Sequence, residues 1–90
     1  MIDAAQIRAA RALLDISQAE LSKVASVSAT SIKRVEAASE VRGAAETLWK
    51  LQTALEKAGV EFIPADELKG SGVRLRRPDA AKPKGRARTG

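Results

Sequence analysis

The stretch SQAELSKVASVSATSIKRVE, residues 17–36, decides how this chain folds. Ser17 is followed three residues later by Glu20, the spacing at which an N-cap hydroxyl and a carboxylate bond each other's backbone N–H groups. A short helix is therefore expected from Gln18 to about Ala25, with Leu21, Val24 and Ala25 facing inward. Ser26-Val27 leaves room only for a tight break. Ser28 then caps another helix, from Ala29 to about Ala37. Ile32 and Val35 form its buried pair, Ala29 and Glu36 fall near the same side, and Thr30, Ser31, Lys33 and Arg34 face elsewhere.

The flanking sequence supplies the brace. Upstream, Asp3 and Gln6 repeat the capping-box spacing, and Ile7, Ala10, Leu13 and Leu14 form the apolar stripe of a first helix that stops near Asp15. Arg8 and Arg11 lie off that stripe. Downstream, Ser39 to Gly43 is a polar break. A fourth helix is expected from about Ala45 to Ala58, with Leu48, Leu51, Gln52 and Leu55 on one stripe and Trp49 beside it. Gly59 is placed to end it in the left-handed conformation, with Lys57 in the last turn. Beyond Gly59 the period changes. Val60-Glu61-Phe62-Ile63 reads as a strand, Pro64 to Gly72 as turn material, and Val73-Arg74-Leu75-Arg76 as a second strand, together a hairpin with a long loop. A lone two-stranded ribbon is marginal in water, so it must pack on the helices or add to another sheet.

Composition bounds the chemistry. The chain has 90 residues and no Cys, His or Tyr. That removes disulfides, thiolate zinc sites, Cys nucleophiles and the commonest general base and metal ligand. Of the 40 apolar residues 18 are Ala, so the core is small and helices are favoured. Neither a membrane-spanning run nor a signal peptide is legible, and a cytoplasmic, nucleoid-associated protein is the expectation. The net charge of +5 is uneven. Residues 1–73 hold 9 basic and 10 acidic side chains, whereas residues 74–90 hold seven basic side chains against Asp79 alone. Residues 78–90 read as a disordered basic tail, the kind that meets an anionic partner, most often nucleic acid. The serines have no His and no Ser-x-x-Lys spacing, Asp66-Glu67 lacks further metal ligands, and Gly70-Ser71-Gly72 lacks the context of a phosphate cradle. No enzyme, cofactor or metal is expected.

Two short capped helices joined by a tight turn and braced by a preceding helix have helix-turn-helix geometry. Ser17-Gln18-Ala19-Glu20-Leu21, Val27-Ser28 and Ile32-Lys33-Arg34-Val35-Glu36, with small Ser22 and Ala25 where the helices cross, resemble the phage-repressor (Cro-like, XRE-type) family. The segment from Gly59 to Arg77 resembles a C-terminal extension found in small bacterial regulators of this type, so the likeness covers roughly residues 5–77. It implies a mainly α fold: a four- to five-helix Cro-like helix-turn-helix bundle, followed by a short C-terminal β-hairpin or dimerising strand and the tail. The divisions are 1–59 for the DNA-binding domain, 60–77 for the β extension and 78–90 for the tail.

The resemblance also implies roles. Ser28, Ala29, Thr30 and Arg34 take the base-reading positions, and Gln18, Ser17, Ser31, Lys33 and Arg42 the phosphate-contacting ones, with Glu40 near the same phosphate track. Arg11 and Glu36 occupy the places of a family pair that ties the first helix to the end of the recognition helix. Ser26 stands where Gly is common and would have to adopt a positive φ. The implied function is a sequence-specific DNA-binding regulator, a repressor binding a pseudo-palindromic operator as a homodimer. Dimer contacts would come either from the β extension (Val60, Phe62, Val73, Leu75) or from the fourth helix near Trp49. The alternative is an antitoxin that binds its own promoter and also a protein partner, a toxin or another regulator. The partners expected are double-stranded DNA and a second copy, and no membrane.

Overall fold

A computed structural model describes residues 2–37 and 45–76. Helix α1 spans Ala4–Leu14, α2 Gln18–Ala25, α3 Ala29–Ala37 and α4 Ala45–Lys57; strands β1 (Val60–Ile63) and β2 (Gly72–Leu75) follow. The fold is mainly helical with one short antiparallel sheet after the helices. The polar break at Ser39–Gly43, Glu40, Arg42, Arg77 and the tail at 78–90 lie outside the described residues.

Local chemistry sets the helix ends. The Asp3 carboxylate accepts from the Gln6 N–H at 2.8 Å while the Gln6 side chain accepts from the Asp3 N–H at 3.0 Å. Ser17 and Glu20 repeat the arrangement at 3.0 and 2.8 Å. Ser28 Oγ accepts from the Ser31 N–H at 3.1 Å. These bonds satisfy donors that a helix start leaves without intrahelical partners. Helices α1 and α2 end alike. Asp15 (φ 57°) and Ser26 (φ 57°) take the left-handed conformation, and the next residue's N–H reaches back to the helix, Ile16 to the Arg11 carbonyl and Val27 to that of Ser22. This is the Schellman closure that Gly usually provides. Ser26 thus adopts the positive φ that its place in the turn demanded. Gly59 (φ 109°) follows α4.

All four helices and β1 share one core, with Ile7, Leu21, Ile32, Leu51, Leu55 and Val60 the largest fully buried side chains. Two inward assignments are corrected. Leu13 is 41 % exposed, because at about 100° per residue it lies some 120° around the helix from Ile7, whereas Leu14 returns to the Ile7 side and packs on the core. Val24 is 66 % exposed: it faces a surface groove toward α4 rather than the core.

The hairpin is clamped to the helices. Val60 pairs with Leu75, Glu61 with Arg74, Phe62 with Val73 and Ile63 with Gly72, so the second strand begins one residue earlier than its alternation suggested. Val60, Phe62 and Val73 turn inward, and Glu61 and Arg74 form an outer ion pair at 3.0 Å. At the loop end of the ribbon, the buried Gln6 amide donates to the Gly72 carbonyl at 2.9 Å and to the Ile63 carbonyl at 3.3 Å. At the other end the Arg76 N–H donates to the Gly59 carbonyl at 2.7 Å. One side chain therefore completes the α1 cap and holds both strands. Gln6→Ala leaves those carbonyls without their partner, and a loss of about 2 kcal/mol is expected in urea unfolding, the usual cost of unpaired buried polar groups.

Candidate nucleic-acid interface

Helix α3 has two faces. Ile32 and Val35 are buried against the bundle, while Ser28, Thr30, Lys33 and Arg34 are exposed and Ala29 and Ser31 half-buried. The 3.6-residue period alone produces this division. The outward face carries the two cations Lys33 and Arg34, and the acid of the helix, Glu36, is buried. At the helix start the Ser28 hydroxyl donates to Ser31 Oγ at 2.9 Å, so these two serines cap the helix together. Thr30, Lys33 and Arg34 make no side-chain hydrogen bond or ion pair with the described residues, which leaves their donors available.

The far end of α3 is held by a network around Glu36, whose side chain is only 4 % exposed. Arg11 grips the carboxylate with two bonds, Nε to Oε2 at 2.7 Å and a terminal nitrogen to Oε1 at 2.9 Å. Gln18 Nε2 donates to Oε1 at 3.0 Å. Arg11 also donates to the Ile16 carbonyl at 3.1 Å, and Arg8, one turn earlier on α1, donates to the Glu36 carbonyl. A single carboxylate thus joins α1, α2 and α3. Burial pushes its pKa upward. The hydrogen bonds from Arg11 and Gln18 and the charges of Arg11 and Arg8 outweigh that, and the group lies below the ordinary glutamate value. The bond to Glu36 raises the Arg11 pKa in turn.

The other sequence-derived candidates fall in varied surroundings. Ser17 is exposed, with its Oγ and N–H engaged in the α2 capping box. Gln18 has one amide N–H spent on Glu36, a partner 18 residues away that its position at a helix start does not signal. Val60, a dimerisation candidate, is 1 % exposed and belongs to the core of the monomer. Phe62 and Val73 are half-buried against that core, Leu75 is 46 % exposed and Trp49 65 %. Asp66 closes its own turn by accepting from the Leu68 and Lys69 N–H groups at 2.8 and 2.7 Å. Among the described residues no helix is long and apolar enough to cross a membrane. The Gln6 clamp and the Arg8 contact escaped the sequence reading. Only the one-turn spacing of Arg8 and Arg11 hinted that both serve one target.

Two capped helices across a tight turn, braced by a third, define a helix-turn-helix protein. The family model described as helix-turn-helix matches residues 7–62, from Ile7 in α1 into β1. The chain belongs to this family, in its XRE or Cro-like form, and is a DNA-binding transcriptional regulator. A search of curated proteins finds no significant match.

The Glu36 network has a signed consequence. A carboxylate with a lowered folded pKa contributes stability above the ordinary glutamate range, and that contribution is lost as pH falls through the folded value. Arg11→Met leaves Glu36 buried with weaker compensation, at an expected cost of about 3 kcal/mol at neutral pH. Burial then dominates and raises the pKa of Glu36, so acidification toward pH ~4 relieves the variant, and its deficit against the wild type shrinks. Urea unfolding of both proteins at the two pH values measures the gap.

Proposed function

We propose that this protein is a sequence-specific repressor that binds a pseudo-palindromic operator as a homodimer, with α3 and its cap, residues 28–37, in the major groove. The observation that carries the reading is the outward face of α3, where Thr30, Lys33 and Arg34 stand exposed while the opposite face is locked to α1 and α2. In this docking the N-terminal residues Ser28, Ala29 and Thr30 approach base edges, and Arg34, one turn on, takes guanine in a bidentate contact. Ser17, Gln18, Ser31, Lys33 and Arg42 track the phosphates. The second amide N–H of Gln18 is the one free for this. The Arg11–Glu36 pair holds the recognition helix at its angle and touches no DNA.

For the dimer, the hairpin supports one route better than the other. Leu75 is half-exposed opposite buried Val60, and Glu61 neutralises Arg74 across the ribbon. Pairing β2 with its copy would cover Leu75 and remove an open strand edge without opposing two bare guanidinium groups. Two-fold symmetry then sets half-sites about 34 Å apart. The basic tail, residues 78–90, adds affinity for any DNA and steepens its salt dependence.

Footprinting on the protein's own upstream region, with binding isotherms at matched salt, tests this. The wild type is expected to protect two symmetric half-sites. Arg34→Ala should lose about 1–3 kcal/mol of discrimination while weak non-specific binding persists. Lys33→Ala should weaken all sequences alike and reduce the salt slope by about 0.9. A footprint unchanged by Arg34→Ala overturns the assignment of α3 as the reader.

A further inference from the structure

The C-terminal end of α2 and the adjoining side of α4 enclose a groove of about 290 Å³ that the DNA-reading role does not use. Val24, Ala25, Trp49 and Ala54 give it apolar walls, and Thr53 and Lys57 continue along α4. Val24 and Trp49 are each about two-thirds exposed, at 66 % and 65 %. Trp49 sits about 100° around α4 from the core residue Leu48, so its ring is not a core group at the margin. Trp is among the residues most enriched where binding energy concentrates at interfaces.

The charge lining the groove is of one sign. Its titratable side chains are Lys50 and Lys57. Lys50 is near Glu46 at 3.6 Å, and among the described residues Lys57 has no carboxylate partner. A second copy seated on this groove across a two-fold would bring the same lysine-lined patch to meet it, and no acid of that patch to pair with Lys57. A small ligand is disfavoured because the volume falls just short of the range for small-molecule pockets, about 300–1,000 Å³, and the groove is open. Phosphates alone would leave the tryptophan and valine uncovered. We infer that this groove docks an acidic segment of another protein, one that places a bulky apolar side chain between Val24 and Trp49 and its carboxylates toward Lys50 and Lys57.

Trp49 is the sole tryptophan and the chain has no tyrosine, so intrinsic emission reports on the groove alone. The test uses the full chain and a synthetic helical peptide with Leu and Phe on one face and Glu on the other, beside the same peptide with Lys in place of Glu. The Glu peptide is expected to shift the Trp49 emission to the blue and to saturate, and the Lys peptide to bind at least about tenfold more weakly. Lys57→Glu should weaken the Glu peptide by about tenfold, and Lys57→Arg should retain it. Because Lys57 is exposed, Lys57→Arg should melt with the wild type and Lys57→Glu should stay folded at the assay temperature, losing only what an acid in the last turn of a helix costs, which separates lost docking from lost folding. Equal binding of the two peptides, or no shift up to millimolar peptide, overturns the inference. So does a blue shift on concentrating the protein alone with a doubling of sedimenting mass, which would assign the groove to a second copy.

Discussion

The carboxylate of Glu36 is the constraint on which the placement of α3 and its exposed face depends. A lone buried charge is costly, and its removal from water is tolerable only when several donors converge on it. Arg11 contributes two hydrogen bonds from α1 and Gln18 one from the start of α2, so the acid at the end of α3 is satisfied only if all three helices hold their relative positions. The apolar contacts of Ile32 and Val35 press α3 onto the bundle but say little about its rotation or slide. The planar fork of an arginine on a carboxylate is directional and supplies that restriction. Side chains on the opposite face of α3 thereby inherit a fixed orientation.

A second polar device does for the hairpin what Glu36 does for the helices. A four-residue ribbon of two strands has too little apolar contact to stand alone. Val60 enters the common core, and Phe62 and Val73 pack at its edge. Gln6 then satisfies a carbonyl from each strand while still closing its own helix. The β extension is thus built into the helical bundle, and the family match, which runs from Ile7 to Phe62, ends inside its first strand.

What the sequence made legible was what is local. The pairs Asp3–Gln6 and Ser17–Glu20 work across three residues, and the two faces of α3 follow from helical period. The ends of α1 and α2 were likewise readable, since Asp15 and Ser26 each stand where an apolar stripe breaks. Leu13 and Leu14 offer two candidate stripes, and only the neighbouring elements decide which one is covered. Val24 is near the inward side of α2, but the surface opposite it is a groove, which its own helix period does not reveal. The contacts of Gln6 span 57 and 66 residues, and that of Gln18 spans 18 to another helix. No spacing rule reaches that far, so Gln6 was legible as a cap and not as a clamp, and Gln18 as a helix start and not as a partner of Glu36.

The corner between α2 and α3 has one further consequence. It turns through the left-handed conformation at a serine, as the preceding corner does at an aspartate, and neither uses glycine. A residue with a β-carbon has one narrow well at positive φ, whereas glycine ranges over a broad one. The corner that sets the angle of α3 against α2 is therefore stiff: it accepts some backbone strain in the folded state and in return keeps few alternative angles open. A stiff reader loses little conformational entropy on meeting its target, and it adapts poorly to targets of a different shape. In the docking proposed for α3, rigidity at a serine corner is a source of selectivity independent of any side chain that reaches the DNA.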